Sequence, residues 1–256
     1  MTLPSGEQFE LAAGRHRVVV VEVGGGIRAW HGVLLGYGEE EMCGSGRGQV
    51  LAPWPNRLAE GRYAWDGEEL RLPVNDASTG SAIHGLVRWA SWRVVEREPA
   101  RVLLEHVLHP QPGYPFALRL RVDYRLAETG LTVRTEAENA GDRACPFGVG
   151  HHPYVLAPSG GVDDIVLDGD RIGARKLDET RHEPGGWRVE VGEATVWADA
   201  AWPWLQVFTG DLPDIRRRGL AVEPMTCPPQ AFRTGEGVIR LEPGESWRGE
   251  WGIEAS

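Results

Sequence analysis

Hydrophobic and polar residues alternate along much of this chain. In segment 117–126 every second residue is apolar and the residues between them are charged; the apolar set is Leu118, Leu120, Val122, Tyr124 and Leu126. A period of two places the two sets on opposite faces of a β-strand, one buried and the other wet or paired with charge. Further strands are predicted in HRVVVVEV, ARVLLEHVL, LTVRTEAEN, RVEVGEATVWA and GVIRLEPG.

Nothing in the pattern predicts long helices or a second domain. No stretch keeps an apolar i, i+3, i+4, i+7 pattern over three turns, and neither a Ser/Pro-rich linker nor a repeat divides the chain. The 34 Gly and 18 Pro among 256 residues favour tight turns. Because all-β domains often reach this length as one unit, we predict an all-β fold in a single domain over residues 1–256.

Charge and cysteine content limit the partners. The formal net charge is -10, the opposite of the basic surface that binds nucleic acid. Cys43, Cys145 and Cys227 form no CxxC pair, so we expect neither a metal site nor disulfides. No basic region precedes a long apolar stretch, and the apolar run 18–23 is short enough to be a strand. We expect a cytoplasmic protein, a monomer or homodimer, that binds neither nucleic acid nor membrane.

Three candidates for acid–base chemistry stand in Pro- and Gly-marked segments: His84 in AIHGL, His152 in GHHPY and Glu223 in VEPMTCPP. Imidazole and carboxylate are well suited to moving protons near neutral pH. The neighbouring His151 points to the opposite face if the stretch is extended. Prolines and glycines restrict or permit special backbone angles, as loops that position side chains require.

Planar hydrogen-bonding groups accompany these candidates. Asn56 and Arg57 close the segment PWPNR, and Gln206 lies in WLQVFTG. Such groups suit a ligand rich in hydroxyls, and the guanidinium offers five donors in a fixed plane. The nearest tryptophans, Trp54 and Trp204, are either core residues or platforms on which a ligand stacks.

The ordered motifs resemble the aldose 1-epimerase (galactose mutarotase-like) family over nearly the whole chain. They are PWPNR, GRYAWDG, AIHGL, GYPFALRLRVDYRL, LTVRTEAENAG, PFGVGHHPYV, LQVFTG, VEPMTCPPQAF and LEPGESW. No single motif is specific; their order and spacing are. The resemblance implies a large antiparallel β-sandwich, a small-molecule sugar as partner, and interconversion of the α and β anomers of a hexose without cofactor or metal.

The resemblance also implies roles for the candidates. Glu223 is the base on the anomeric hydroxyl, and His152 is the acid at the ring oxygen. His84 hydrogen-bonds the ring or a neighbouring hydroxyl, and the residues that match hydroxyl-binding positions are Asn56, Arg57 and Gln206. With ordinary pKa values of about 4.3 and 6.5, Glu223 is ionised at neutral pH and His152 can hold a proton. We therefore expect the rate to fall in acid as Glu223 takes up a proton.

One departure from the family concerns a further aspartate that contacts sugar hydroxyls between the HPY and LQVFTG motifs. Segment 183–198 holds no aspartate, Asp199 falls too late, and Asp178 matches an earlier turn position. The departure leaves the identity of the sugar open.

Three alternatives remain. The first is a hexose-6-phosphate epimerase of the same family, which needs additional cations; the run 216–218 is either a solvated loop or a grip for an anionic group. The second is a carbohydrate-binding β-sandwich without catalysis. The third is a metal-dependent enzyme with His84, His152 and Glu223 as ligands, which lacks the close HxH or HxxE spacing of such sites.

Overall fold

The structure is a computed structural model that describes residues 2–158 and 161–255. Its regular structure is almost entirely β-strand. In these ranges the helical segments are a short α-helix, α1 (Ala231–Thr234), and a 3-10 turn at Val162–Asp164. The predicted all-β fold is confirmed.

The larger sheet has seven antiparallel strands. In spatial order they are β19 (Trp187–Val191), β20 (Ala194–Ala198), β24 (Ser246–Ala255), β12 (Gly130–Asn139), β11 (Leu118–Ala127), β10 (Arg101–Leu108) and β9 (Arg93–Glu98), labelled by chain order. The alternating segment of the sequence lies in β11, at the centre of three neighbouring hairpin-paired strands.

Both faces of β11 follow the prediction. Its five alternating apolar side chains are all buried. On the other face Arg119 Nη1 lies 2.8 Å from Glu138 Oε2 on β12, and Arg121 Nε lies 2.8 Å from Glu105 Oε2 on β10. Opposite charges on neighbouring strands stabilise a sheet by about 0.2–1 kcal/mol per pair. The polar face is therefore paired with charge.

The second sheet carries the candidate residues. Its strands run in the order β18 (Asp178–His182), β21 (Trp204–Phe208), β22 (Gly219–Met225), β14 (Gly150–His151) and β4 (Val50–Leu51), and β15 (Tyr154–Leu156) also pairs with β22. All seven residues of β22 are buried. With the larger sheet it forms a large antiparallel β-sandwich, as expected.

Shorter ladders complete the described chain. They are the three-stranded sheet of β1 (Gln8–Ala13), β2 (His16–Val21) and β3 (Ile27–Trp30), and the pairs β5 (Arg57–Ala59) with β8 (Ser81–Ile83), β6 (Arg62–Trp65) with β7 (Glu68–Arg71), β13 (Cys145–Phe147) with β23 (Ile239–Leu241), and β16 (Val166–Leu167) with β17 (Asp170–Arg171). The β5–β8 ladder borders the site described below.

A continuous apolar cluster joins the elements. Its largest fully buried side chains include Trp30, Trp92, Trp202 and Trp251. The three cysteines are buried free thiols, so apolar packing rather than cross-linking holds the sandwich together. Within the described ranges no helix is both long and apolar enough to cross a membrane.

Candidate active site

Five of the six candidate residues line one pocket with a volume of about 170 Å³: Asn56, Arg57, His84, His152 and Glu223. Pockets for drug-sized ligands usually span about 300–1,000 Å³, so this space suits a smaller ligand. Segments far apart in the sequence thus converge on one site.

Glu223 and His152 face each other across paired strands. Glu223 lies in β22 and His152 follows β14, which pairs with β22 at Gly150 and Met225. Glu223 Oε1 is 3.4 Å from His152 Nε2, and the two residues are only 2% and 5% exposed. Glu223 Oε2 has no hydrogen-bond partner among the described residues. An unpaired buried polar atom costs about 1–3 kcal/mol, which a bound hydroxyl would offset.

His84 is held against the same pair by the backbone. Its ring meets the His152 ring edge-on, with centroids 5.2 Å apart. The Asn56 N–H donates to His84 Nδ1 at 3.2 Å, and the Asn56 carbonyl accepts from the His84 N–H at 2.9 Å. Because Nδ1 accepts, neutral His84 carries its proton on Nε2 and can donate there.

This reciprocal contact requires an uncommon backbone. Asn56 and His84 have φ angles of 53° and 63°, in the left-handed region. They flank the β5–β8 ladder, in which Arg57 pairs with Ile83. Asn and His tolerate this region better than most residues, and such strain concentrates at functional sites.

Arg57 and Gln206 both bind Asp178. The Arg57 Nη1 lies 3.8 Å from Asp178 Oδ2, and its Nε lies 3.4 Å from Asp76 Oδ2. Gln206 Nε2 donates to Asp178 Oδ1 at 2.6 Å, and the Thr180 hydroxyl donates to Gln206 Oε1. Gln206 pairs with Glu223 in the β21–β22 register but is not among the lining residues. It is therefore placed to orient Asp178.

Asp178 gives the pocket an aspartate, although segment 183–198 holds none. It is the first residue of β18 rather than a turn residue, and it lines the pocket. The pairing of β18 with β21 brings it beside Gln206 from 28 positions away. Sequence spacing alone gave no signal of this, because the register of two distant strands decides it.

The protonation states also differ from expectation. Burial, reinforced by Asp178 and opposed by Arg57, raises the pKa of Glu223 well above its ordinary value. Burial and the nearby Arg88 lower the pKa of His152 to about 3. Burial, His152, Arg88 and Arg57 hold the pKa of His84 well below its ordinary value.

The expectation of ordinary pKa values for Glu223 and His152 is therefore wrong. Low dielectric surroundings disfavour both charged forms, so burial favours a protonated carboxyl facing a neutral imidazole. Such a pair titrates as a unit and still holds one proton that can move between Oε1 and Nε2. The sequence could not show this, because burial is a tertiary property.

His151, Trp54 and Trp204 do not line the pocket. His151 points away from the pocket: its Nε2 lies 2.8 Å from Thr135 Oγ1, and its ring packs against Trp202. Trp54 is buried against Phe232, and Trp204 stacks on His182 with centroids 4.4 Å apart. Neither tryptophan is among the lining residues, although both were candidate platforms.

Seven lining residues were not among the sequence-predicted site residues: Ser45, Ile83, Arg88, Tyr154, Asp178, Phe208 and Leu212. Tyr154 stacks on the His152 ring with centroids 4.9 Å apart, and Phe208 supplies an apolar wall. Tyr154 lies within the GHHPYV segment, two positions after His152, so alternation along an extended chain was the available signal.

The metal-dependent alternative gains nothing from this geometry. Across residues 2–158 and 161–255, no group of three His, Cys, Asp or Glu side chains is arranged to hold a metal ion. His84 Nδ1 is already engaged by the Asn56 backbone.

Comparisons with known proteins identify the family of the chain. The family model described as aldose 1-epimerase matches residues 7–166. The protein YihR of Escherichia coli K12, itself described as uncharacterized, is 34% identical over 287 positions that cover 95% of this chain and 92% of YihR.

Solved structures show the same fold. The GalM/aldose epimerase homologue from C. elegans superimposes with a TM-score of 0.81 at 15% identity, covering 98% of each chain. The Slr1438 protein from Synechocystis sp. PCC 6803 gives a TM-score of 0.80 at 20% identity, covering 100% of this chain and 98% of that protein. The protein belongs to the aldose 1-epimerase family, a family of isomerases, and has the galactose mutarotase-like fold.

Proposed function

We propose that this protein is an aldose 1-epimerase that interconverts the α and β anomers of an aldose by general acid–base ring opening and closure. The observation that carries the proposal is the buried contact of 3.4 Å between Glu223 Oε1 and His152 Nε2. Mutarotation needs one group that removes the proton of the anomeric hydroxyl and another that protonates the ring oxygen.

The pair can cycle without a net change in protons. With ionised Glu223 and protonated His152, the carboxylate takes the proton of the anomeric hydroxyl, the bond from C1 to the ring oxygen breaks, and the imidazolium protonates that oxygen. The open-chain aldehyde then faces protonated Glu223 and neutral His152, the form that burial favours. Rotation about the C1–C2 bond and reversal of both transfers close the other anomer.

The remaining residues orient the sugar. His84 donates from Nε2 to the ring or a neighbouring hydroxyl, while Asn56 and Arg57 bind hydroxyls at the rim. Gln206 holds Asp178, whose carboxylate accepts from sugar hydroxyls. Arg57 also favours the ionised form of Glu223, which is the base in the opening step.

The test is anomer exchange measured by NMR on glucose, galactose and their 6-phosphates. Exchange faster than in buffer, and loss of that excess in Glu223→Gln, would support the proposal. The alternative carbohydrate-binding function instead requires sugar binding with exchange no faster than in buffer and unaltered affinity in Glu223→Gln. Faster turnover of the 6-phosphates alone would favour the hexose-6-phosphate epimerase.

We further propose that the enzyme is cytoplasmic and uses no cofactor. The three buried free thiols accord with a reducing compartment. Full activity after dialysis against a chelator would support the second point, and loss of activity that a metal ion restores would contradict it.

A further inference from the structure

Arg88 is a charged residue of the pocket wall that the proposed mechanism does not use. It lies four positions after His84 and lines the pocket beside Ser45 and Tyr154. Its Nε donates to Gln49 Oε1 at 2.8 Å, and Gln49 Nε2 donates to the Arg88 carbonyl at 2.7 Å. This reciprocal contact fixes the side chain. The guanidinium carbon also lies 5.6 Å from the centroid of the Trp89 ring, and an aromatic face leaves the terminal nitrogens able to donate to another partner.

No carboxylate neutralises this guanidinium within the described ranges. Other partly buried arginines near the pocket are paired: Arg47 with Asp214 at 3.6 Å, and Arg57 with Asp76 at 3.4 Å and with Asp178. Arg88 forms no comparable ion pair there. Buried charges are normally paired, because removing an ion from water is costly.

The two arginines of the pocket differ in their ion pairs. Arg57 lies beside Asp178, whereas Arg88 forms no ion pair among the described residues and lies close enough to His84 and His152 for its charge to lower the pKa of both. A neutral sugar hydroxyl would leave that positive charge uncompensated. A negatively charged oxygen on the ligand would compensate it through charge-assisted hydrogen bonds of the planar guanidinium.

We propose that Arg88 binds an anionic substituent of the substrate, so that the site prefers an aldose carrying a carboxylate, phosphate or sulfate group over a neutral aldose. The inference rests on the proposed epimerase function and narrows its substrate class. The run at 216–218 does not provide this cation: Arg217 pairs with Asp163 and Asp211, and Arg216 donates to the Pro213 carbonyl.

The experiment compares anomer exchange of glucose with that of glucuronate, glucose 6-phosphate and glucose 6-sulfate. We expect kcat/KM of at least one anionic sugar to exceed that of glucose by about tenfold or more, the range of a charged hydrogen bond of about 1.5–3 kcal/mol. The three anionic sugars distinguish the source of the charge. Equal values for glucose and all three would overturn the inference.

Variants link the preference to one side chain. Arg88→Gln should lower the ratio of anionic to neutral kcat/KM about tenfold, and Arg88→Lys should retain part of it. The control Arg216→Gln, an exposed arginine outside the pocket, should leave the ratio unchanged. An unchanged ratio in Arg88→Gln would overturn the inference. Should that variant not fold, Arg88→Lys decides: the lysine lacks the planar fork of donors, so the ratio must fall, and an unchanged ratio in this variant would also overturn the inference.

Failure of the proposed function is recognised separately. If none of the sugars exchanges faster than in buffer, the epimerase proposal fails, and calorimetric binding of the same sugars tests Arg88 alone. Tighter binding of an anionic sugar that Arg88→Gln abolishes would support the anion site. Equal binding of charged and neutral sugars would reject it.

Discussion

Glu223 and His152 owe their proposed chemistry to burial as much as to residue type. A solvated pair would hold a carboxylate and a partly protonated imidazole, whereas the sandwich interior favours the uncharged forms of both. The active form of the pair is therefore the one that carries a single proton, shared between the two groups, whatever the ordinary pKa of either.

The adjacent histidines offer a matched test. His152→Gln should lower kcat by about two orders of magnitude or more, because it removes a positioned proton donor. His151→Gln should keep kcat within about threefold but lower the free energy of unfolding by roughly 1–3 kcal/mol, because it disturbs the buried contact with Thr135. Steady-state NMR exchange and urea unfolding give the two readouts. The reverse pattern would show that the wrong histidine has been placed in the site.

The pH profile of kcat/KM should reflect the shared proton. A second proton reaches the pair only as the pH falls towards the lowered pKa of His152, about 3, so the acid limb should lie near pH 3. Loss of the proton on Glu223 gives the alkaline limb, above the ordinary glutamate value because its pKa is raised. Circular dichroism at each pH verifies folding. An acid limb centred near pH 6.5, or near 4.3, would contradict these environments.

Two strand ladders bring residues from separate sequence motifs close together. The β5–β8 ladder fixes Asn56 against His84, and the β21–β22 register places Gln206 beside Glu223. Gly85 lets the first of these ladders approach Ala52: with φ of 71°, a Cβ there would lie 2.0 Å from the Ala52 carbonyl oxygen.

Alanine substitution of two glycines near the β5–β8 ladder should therefore destabilise the protein to different degrees. Gly80 has a φ of 67° and open space where a Cβ would lie. Gly80→Ala should therefore lower the free energy of unfolding only by the roughly 1 kcal/mol that a left-handed backbone costs a residue with a Cβ. Gly85→Ala adds a clash with the backbone and should lower the free energy of unfolding by at least about 2 kcal/mol more. It should also lower activity, because the clash displaces His84. Urea unfolding measures both. Equal losses would mean that the backbone around Ala52 yields easily.

The strands were easier to predict than the site. Period-two alternation identified β11 because side-chain direction in a strand is local. The motif resemblance singled out Glu223, His152 and His84, and all three line one pocket. Asp178 and Arg88 were not predicted as site residues, because long-range contacts place each of them in the pocket. The β18–β21 register places Asp178, and the hydrogen bond to Gln49 places Arg88. Burial, and with it the pKa shifts, is likewise set by the whole sandwich.

On the scale of the whole molecule, the apolar core supports a polar pocket with its own charge pattern. The chain carries a formal net charge of -10, yet Arg88 presents an unpaired positive charge to the cavity among the described residues. Long-range repulsion of anionic sugars by the acidic surface weakens with salt, so selectivity at Arg88 depends on contact.

The central claim is that Glu223 and His152 act as one proton-transfer unit on a bound aldose. The most direct measurement is NMR anomer exchange by wild type, Glu223→Gln, His152→Gln and the double variant, on whichever aldose the wild type turns over fastest. Groups that act as a unit are strongly non-additive, so the double variant should be no slower than the slower single variant within about threefold. Losses that multiply, or near-normal exchange in either single variant, would contradict the claim.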